Sequence, residues 1–268
     1  MNFPLLKLPS RSSKPRNTGL TMIIDSGTGI QQIKDALDLG HNYVDYVKLG
    51  WGTSVVTQNL DKKIEVYKKF DIPVCLGGTL FEVAFIQNKV DDFIDFALDI
   101  GIDMIEVSDG SVDMAEADKL KNIQKIAKKI KVISEYGSKD VSTVRAPRYW
   151  VTGMQNELNA GAWKVIAEGR ESGTSGLYRG TSELRTGLVE EIADSIPQEK
   201  ILWEAPQKMQ QVWFIKEFGK EVNLGNIAIK DIIALETLRL GLRGDTLLHF
   251  HENSQTTSFT GTERNTSS

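Results

Sequence analysis

Four consecutive apolar segments of the chain each place a glutamate at or near their end. These segments contain "DMIEV", "KVISEY", "KVIAEG" and "KILWEA", and their glutamates are Glu106, Glu135, Glu168 and Glu204. A charge at the end of an apolar segment costs free energy unless a counter-charge, a metal or a ligand pairs with it. Carboxylate oxygens are the hard ligands that Mg²⁺ prefers. We therefore predict a Mg²⁺ site with Glu106 and Glu135 as first ligands and Glu204 or Asp25 in support.

Cationic and hydrogen-bonding residues follow the same segments and indicate an anionic substrate. Arg170 has a planar fork that matches oxyanions, and Lys139 follows the fifth segment closely. The loop "RESGTSG" and the segment "NLGNI" offer backbone amides and small polar side chains to a phosphate. We predict that the catalytic residues are Lys139, Glu135 and Arg170. The predicted substrate-binding residues are Lys48, Glu168, Ser172, Gly173, Gly225, Asn226 and Arg243.

A plainer interpretation stays open for these charged and loop residues. Charges at strand ends also form structural ion pairs, for example between Glu168 and Lys48, and a Gly/Ser loop is often only a connection. The convergence of four carboxylates and several cations on one face favours a functional site over ion pairing alone.

Eight short apolar segments are available to position these residues. They are "LTMIIDS", "DYVKLGWG", "IPVCLGG", "DMIEVSDG", "KVISEYGS", "WKVIAEGR", "KILWEAP" and "EVNLGNI", and amphipathic stretches of helical length separate them. Continuous apolar strands alternating with helices predict an α/β fold, a single (β/α)8 TIM barrel whose chemistry lies at the carboxyl ends of the strands. The structural alternative is an open doubly wound sheet, but the first turn, "DSGTG", lacks the spacing of a dinucleotide loop.

The barrel is predicted over residues 19–248, with different segments on either side. Residues 1–18 are basic and rich in Pro and Ser, and they lack the apolar stretch of a secretory signal. We expect a flexible arm there, with a transit peptide as the alternative. Residues 249–268 are polar and poor in aromatic residues, which predicts a disordered tail.

Composition argues against several classes of function. Of the 268 residues, 40% are apolar and 25% are charged, and the net charge is −4, so nucleic acid is not an expected partner. No apolar run approaches the ~20 residues of a membrane span, so no membrane partner is expected either. The single cysteine, Cys75, is typical of a reducing, cytoplasmic protein. The three histidines lack zinc spacing. Because barrels commonly associate, we also expect a homo-oligomer.

Nine segments together resemble the phosphosulfolactate synthase family. They are "GLTMIIDSG", "DYVKLGWGTS", "GGTLFE", "IEVSDGS", "SEYGSKD", "AEGRESGTSG", "WEAP", "NLGNI" and "LETLRLGLRGDT". They occur in order from Gly19 to Thr246, whereas both ends of the chain lie outside the pattern. The resemblance implies a TIM-barrel enzyme that joins sulfite to phosphoenolpyruvate with Mg²⁺ and forms (2R)-phospho-3-sulfolactate. This reaction is the first step of one route to coenzyme M, and it also feeds the synthesis of other sulfonates.

The implied reaction suits the candidate residues. It joins two polyanions, so cationic side chains and a divalent metal would offset their repulsion. Attack at C3 moves charge into the substrate carboxylate, and a proton must then reach C2. We expect Lys139 to deliver it. Two alternatives remain open, namely another Mg²⁺-dependent barrel enzyme that forms an enolate from a phosphorylated acid, and a non-catalytic stress-related barrel.

Overall fold

Eight parallel strands close into one barrel, in the order β1 to β8 with β8 paired to β1. The structure is a computed structural model, and it describes residues 5–137, 146–169, 172, 176–179 and 181–251. The predicted (β/α)8 TIM barrel is confirmed. The strands are β1 Thr21–Asp25, β2 Tyr46–Leu49, β3 Val74–Leu76, β4 Met104–Val107, β5 Lys131–Tyr136, β6 Lys164–Ala167, β7 Ile201–Glu204 and β8 Leu224–Ala228.

Helices surround the barrel and cover the outward-facing side chains of the strands. Short 3₁₀ turns precede β2, β7 and the helix after β8. The helices are α1 Ile30–Gly40, α2 Thr53–Val56, α3 Leu60–Lys69, α4 Gly78–Ile86, α5 Val90–Asp99, α6 Glu116–Ala127, α7 Pro147–Asn159, α8 Thr186–Ser195, α9 Lys208–Phe218, α10 Ile232–Arg239 and α11 Gly244–His251.

The inside of the barrel has two layers of different character, because side chains alternate between the two faces of a strand. The lower layer is apolar and consists of Leu20, Met22, Tyr46, Cys75, Met104, Ile133, Ile166 and Leu202. Two residues further along the strands lies the upper layer, which is mostly charged and consists of Ile24, Lys48, Glu106, Glu135, Glu168 and Glu204. The upper layer forms the floor of the barrel mouth, which we define as the face where the eight strands end.

The segment before β1 packs against the opposite end of the barrel, where the sequence predicted a flexible arm. The Arg11 guanidinium lies 2.9 Å from Glu236 and 2.8 Å from Glu221, and its side chain is only 8% exposed. Arg16 binds Asp45 at 2.8 Å, and the Asn17 carbonyl accepts a hydrogen bond from Lys164. These ion pairs hold residues 11–18 on the barrel. At the other end of the chain, α11 continues to His251, past the predicted start of the tail, and residues 252–268 lie outside the described part.

Within the described residues, the longest helix has 13 residues, and none is both long and apolar enough to cross a membrane.

Candidate active site

A cavity of about 430 Å³ opens at the barrel mouth. Its floor is the upper layer, and its walls come from the loops that follow the strands. The described residues that line it are Ile24, Lys48, Trp51, Gly78, Thr79, Glu106, Ser111, Glu135, Glu168, Ser172, Glu204 and Asn226. In an (β/α)8 barrel this is the face where reactive side chains from several strands meet.

Lys48 lies at the centre of the charged floor. Its Nζ is 2.9 Å from Glu106, 3.2 Å from Glu204 and 3.8 Å from Glu135. Burial alone would lower the pKa of Lys48, but the surrounding carboxylates outweigh this effect and raise the pKa well above its usual value. Lys48 is therefore a fixed positive charge in the cavity.

Three carboxylates converge beside this lysine and form what we call the carboxylate cluster: Glu135, Glu168 and Glu204. Each offers one oxygen, and these oxygens all lie within 4.8 Å of one another. All three residues are buried. Buried carboxylate oxygens that converge in this way match the ligand set of a hard divalent cation such as Mg²⁺. The cluster includes Glu168, which the sequence assigned to the substrate, and it omits Glu106.

Glu106 is held by a backbone amide and by Lys48. Its Oε1 accepts a hydrogen bond of 2.7 Å from the N–H of Gly78, the first residue of α4, and its Oε2 faces Lys48. Burial raises the pKa of Glu106 to about 7, although the ammonium of Lys48 opposes the shift. The carboxyl group can therefore change protonation near neutral pH in the unliganded site.

Backbone contacts fix the position of Glu204. Its Oε2 accepts a hydrogen bond of 2.8 Å from Gly169 N, and its carbonyl accepts one of 2.6 Å from the Tyr178 hydroxyl. Burial raises the pKa of Glu204, and the charge of Lys48 opposes this shift. The loop after β6 thus anchors on the end of β7.

Asn226 reaches the cavity through an irregularity in β8. Its φ is 56°, and the pairing of β8 with β1 shifts register between Thr21 and Ile23. This left-handed bulge turns the Asn226 side chain, 4% exposed, into the lining of the cavity. Among the described residues its Oδ1 has no hydrogen-bond partner. A buried acceptor of this kind suits a hydrogen-bond donor on a ligand.

Other predicted site residues lie elsewhere. Asp25 is buried outside the cavity, where it accepts hydrogen bonds from Lys63 and Tyr67 on α3 and from the amides of Gly27 and Thr28. The half-buried Arg243 precedes α11 and does not line the cavity.

Gly225 lies lower in the barrel than the cavity. A side chain at position 225 would meet Leu202 and Met22 in the lower layer, so this glycine fits the packing there. Ser172 lines the cavity, and its carbonyl accepts a hydrogen bond of 2.7 Å from Gln207. Lys139, Arg170 and Gly173 lie outside the described residues.

Several lining residues were not among the predicted site residues, namely Ile24, Trp51, Gly78, Thr79 and Ser111. Each lies within a few residues of a strand end, so position alone could have suggested them, but their side chains carry no charge that attracts attention. Trp51 has a φ of 50° and is 42% exposed at the rim. Gly77 packs against its backbone, since a Cβ there would approach Trp51 N to 2.8 Å.

The closed barrel with a buried acidic floor at its mouth defines a (β/α)8-barrel enzyme. Solved structures agree on the fold. The chain superimposes on 3-hexulose-6-phosphate synthase from Salmonella typhimurium with a TM-score of 0.53 and 12% identity, covering 82% of this chain and 99% of that one. A putative fructose-1,6-biphosphate aldolase from Coccidioides immitis gives a TM-score of 0.51 and 14% identity, covering 87% of this chain and 85% of that one. At such identities the likeness shows the fold alone.

Sequence comparison shows the family. The profile described as (2R)-phospho-3-sulfolactate synthase (ComA) matches residues 9–245. Phosphosulfolactate synthase of Bacillus subtilis is 42% identical over 249 residues, which cover 92% of this chain and 99% of that protein. The enzyme of the same name from Methanothermobacter thermautotrophicus is 40% identical over 89% of this chain and 95% of its own length. The chain belongs to the phosphosulfolactate synthase family, whose members are carbon–sulfur lyases, and the resemblance noted in the sequence is confirmed.

Proposed function

We propose that the protein adds sulfite to C3 of phosphoenolpyruvate and forms (2R)-phospho-3-sulfolactate, with Mg²⁺ as its cofactor. The observation that carries this proposal is the carboxylate cluster beside Lys48 at the mouth of a barrel of this family. The proposal accounts for both the acidic floor and the fixed ammonium next to it.

The reaction requires a site that holds two anions close together. A carbon–sulfur bond forms between the sulfite sulfur and C3, the π electrons of the C2–C3 double bond move toward the substrate carboxylate, and C2 takes a proton. The fixed positive charge of Lys48 lowers the repulsion between the two substrates. Asn226 Oδ1 can accept a hydrogen bond from a protonated oxygen of a substrate.

The carboxylate cluster would hold the Mg²⁺ ion. Glu135, Glu168 and Glu204 supply its oxygens, while Glu106 stays with Gly78 and Lys48. Bound Mg²⁺ would act as a Lewis acid toward the oxygens of the substrate carboxylate, where negative charge develops. A bound Mg²⁺ ion would also offset part of the negative charge of the cavity, because the described lining residues include four carboxylates and only one ammonium.

We keep Lys139, the residue proposed from the sequence, as the proton donor. Lys139 follows the last residue of β5 by three positions in the sequence, and we propose that it delivers the proton to C2. In the same scheme Arg170, which follows β6, binds the phosphate or sulfite oxygens through its fork. Glu106, whose pKa is raised to about 7 by burial, can also hold a proton near neutral pH.

The test is a reaction with purified protein, phosphoenolpyruvate, sulfite and Mg²⁺, with the product identified by mass. We expect phosphosulfolactate to form only when both substrates are present, and EDTA to stop the reaction. Consumption of phosphoenolpyruvate without sulfite would contradict the proposal and favour a different enolate-forming reaction. Undiminished activity in EDTA would remove Mg²⁺ from it.

A variant of Lys139 tests the proton donor separately. Lys139→Ala should lower kcat by about 10²–10⁴-fold, the usual contribution of general acid catalysis, with a smaller effect on KM. A loss confined to KM would show that Lys139 only organises its loop.

A further inference from the structure

Another buried lysine, Lys119, lies directly behind the carboxylate cluster. Lys119 is in the first turns of α6, is 2% exposed and does not line the cavity. Its Nζ lies 2.8 Å from Asp109 Oδ1, 2.7 Å from Glu157 Oε1 and 2.7 Å from the carbonyl oxygen of Glu135. A single ammonium thus connects the loop after β4, the end of β5 and helix α7.

The hydrogen bond from Lys119 to the Glu135 carbonyl takes the place of a backbone hydrogen bond between β4 and β5. The Tyr136 carbonyl accepts a hydrogen bond from Glu168 on the β6 side, and backbone groups alternate sides along a strand. The Glu135 carbonyl therefore faces β4. The pairing of β4 with β5 ends at Val107 and Ser134, one residue before Glu135. Lys119 supplies the donor at the point where the ladder stops.

The contact with Asp109 fixes a wall of the cavity. Asp109 is in the loop that follows β4, and Ser111 of the same loop lines the cavity. The loop has a second attachment on α4, because Glu82 accepts hydrogen bonds from the Ser108 hydroxyl at 2.6 Å and from the Ser111 amide at 3.3 Å. Lys119 and Glu82 therefore hold this wall from two different helices.

The surroundings keep Lys119 charged. Burial would lower the pKa of Lys119, but Glu157 and Asp109 more than offset this and raise the pKa above its usual value. The ring of Tyr136 lies 5.5 Å from the ammonium. Because Lys119 holds three hydrogen bonds in a buried and charged form, its position is rigid.

We propose that Lys119 is a positioning residue for the metal site, which sets the orientation of Glu135 in the carboxylate cluster through its backbone carbonyl and fixes the Ser111 wall through Asp109. The inference rests on the proposed role of Glu135 as a metal ligand. Lys119 does not line the cavity itself, so it would act on the site through these two connections. Its removal should therefore change how well the cluster binds a divalent cation.

The test compares Lys119→Met with Lys63→Met, using Mn²⁺ as a paramagnetic probe of the cation site. Lys63 is a matched control, since it is a buried lysine on an outer helix whose partner, Asp25, lies outside the carboxylate cluster. We expect Lys119→Met to weaken Mn²⁺ binding at least fivefold and to lower kcat at least tenfold, with KM for phosphoenolpyruvate changed less than threefold. Lys63→Met should lose comparable stability while its Mn²⁺ affinity stays within twofold of wild type.

A second variant covers the case in which Lys119→Met does not fold. Lys119→Met/Glu157→Gln also removes the buried carboxylate that would be left without its counter-charge, while the Glu135 carbonyl still loses its donor. It should show the same loss of Mn²⁺ affinity, and wild-type affinity in either folded variant would overturn the inference. Equal losses in Lys119→Met and Lys63→Met would also overturn it.

The Mn²⁺ measurement separates this inference from the proposed reaction. A wild-type protein that binds Mn²⁺ but forms no phosphosulfolactate would refute the reaction and leave the positioning role standing. A wild-type protein that binds no Mn²⁺ would refute the metal site and the role of Lys119 together.

Discussion

At the scale of single residues, Glu168 is the carboxylate whose proposed role differs most between the sequence and the structure. It belongs to the carboxylate cluster with Glu135 and Glu204. We predict that Glu168→Gln weakens Mg²⁺ binding at least tenfold and lowers kcat by about 10²-fold, because an amide is a poorer ligand for a hard cation than a carboxylate. Calorimetric titration with Mg²⁺ and steady-state kinetics would measure both effects. The exposed Glu190 on α8 provides the control, and Glu190→Gln should behave as wild type.

The raised pKa of Glu106 predicts how the stability of the metal-free protein depends on pH. Its pKa in the folded protein is about 7, above the usual value of a glutamate, because the carboxyl is buried. The folded state therefore binds a proton more readily than the unfolded state, and this group makes stability fall as pH rises from about 4.5 toward 7. We expect Glu106→Gln to raise the free energy of unfolding at pH 8 by about 1–3 kcal/mol and to reduce the dependence on pH.

The measurement is urea denaturation in EDTA at several pH values between 5 and 8. Glu65→Gln is a suitable control, since Glu65 is an exposed glutamate in an ion pair on α3. A Glu106→Gln variant whose stability follows the same pH curve as wild type would contradict the assignment.

The choice of glutamates shows where sequence reasoning stops at this scale. The strand-end position of Glu106, Glu135, Glu168 and Glu204 was readable from the chain, and the structure brings all four to one floor. Which three carboxylates converge depends on how the strands close into the barrel and on the N–H of Gly78 that holds Glu106, and neither is visible in the sequence. The sequence analysis proposed Asp25 as a supporting ligand, but Asp25 directly follows the inward-facing Ile24, so the alternation of side chains along β1 turns it toward the outer helices.

At the scale of elements, the start of α4 is joined to the charged floor. The N–H of Gly78 binds Glu106, and a Cβ on Gly78 would lie 2.7 Å from Ser108 Cβ and 2.9 Å from Glu106 Oε1. We predict that Gly78→Ala displaces Glu106, lowers kcat/KM at least tenfold and destabilises the protein by about 1–3 kcal/mol, since the new methyl group overpacks the site.

A glycine with free space around it supplies the comparison for Gly78. Gly187 lies in the first turn of α8, and a Cβ there would have nothing within 4 Å. Gly187→Ala should therefore keep full activity and gain up to about 1 kcal/mol of stability, as expected for alanine in a helix. Activity assays and thermal unfolding of both variants would separate a packing effect from the general effect of replacing glycine.

At the scale of the whole molecule, the segment before β1 closes the end of the barrel opposite the mouth. Arg11 joins this segment to Glu236 on α10 through a buried ion pair. Removing one partner of such a pair leaves the other charge buried, so Arg11→Ala should destabilise the protein by about 3–5 kcal/mol. Activity at low temperature should stay unchanged, because the substituted residue is at the far end of the barrel.

Chemical denaturation and activity assays would test this prediction, with Lys7→Ala as the control. Lys7 is exposed in the same segment and should have no measurable effect. The sequence described this segment only as basic and rich in Pro and Ser. Its docking depends on Glu221, Glu236 and Asp45, which are distant in the chain, so no local pattern could have shown it.

The two layers inside the barrel imply that the stability of the protein and its catalytic activity place opposite demands on the upper layer. The lower layer is apolar and stabilises the barrel by packing. The upper layer buries five charged groups, and burying charge costs free energy that apolar side chains in the same positions would not. Replacing Lys48, Glu106, Glu135, Glu168 and Glu204 together by apolar residues of similar volume should give an inert barrel that resists denaturant better than the natural chain. That result would mean that selection for catalysis keeps the protein below the highest melting temperature that its own backbone allows.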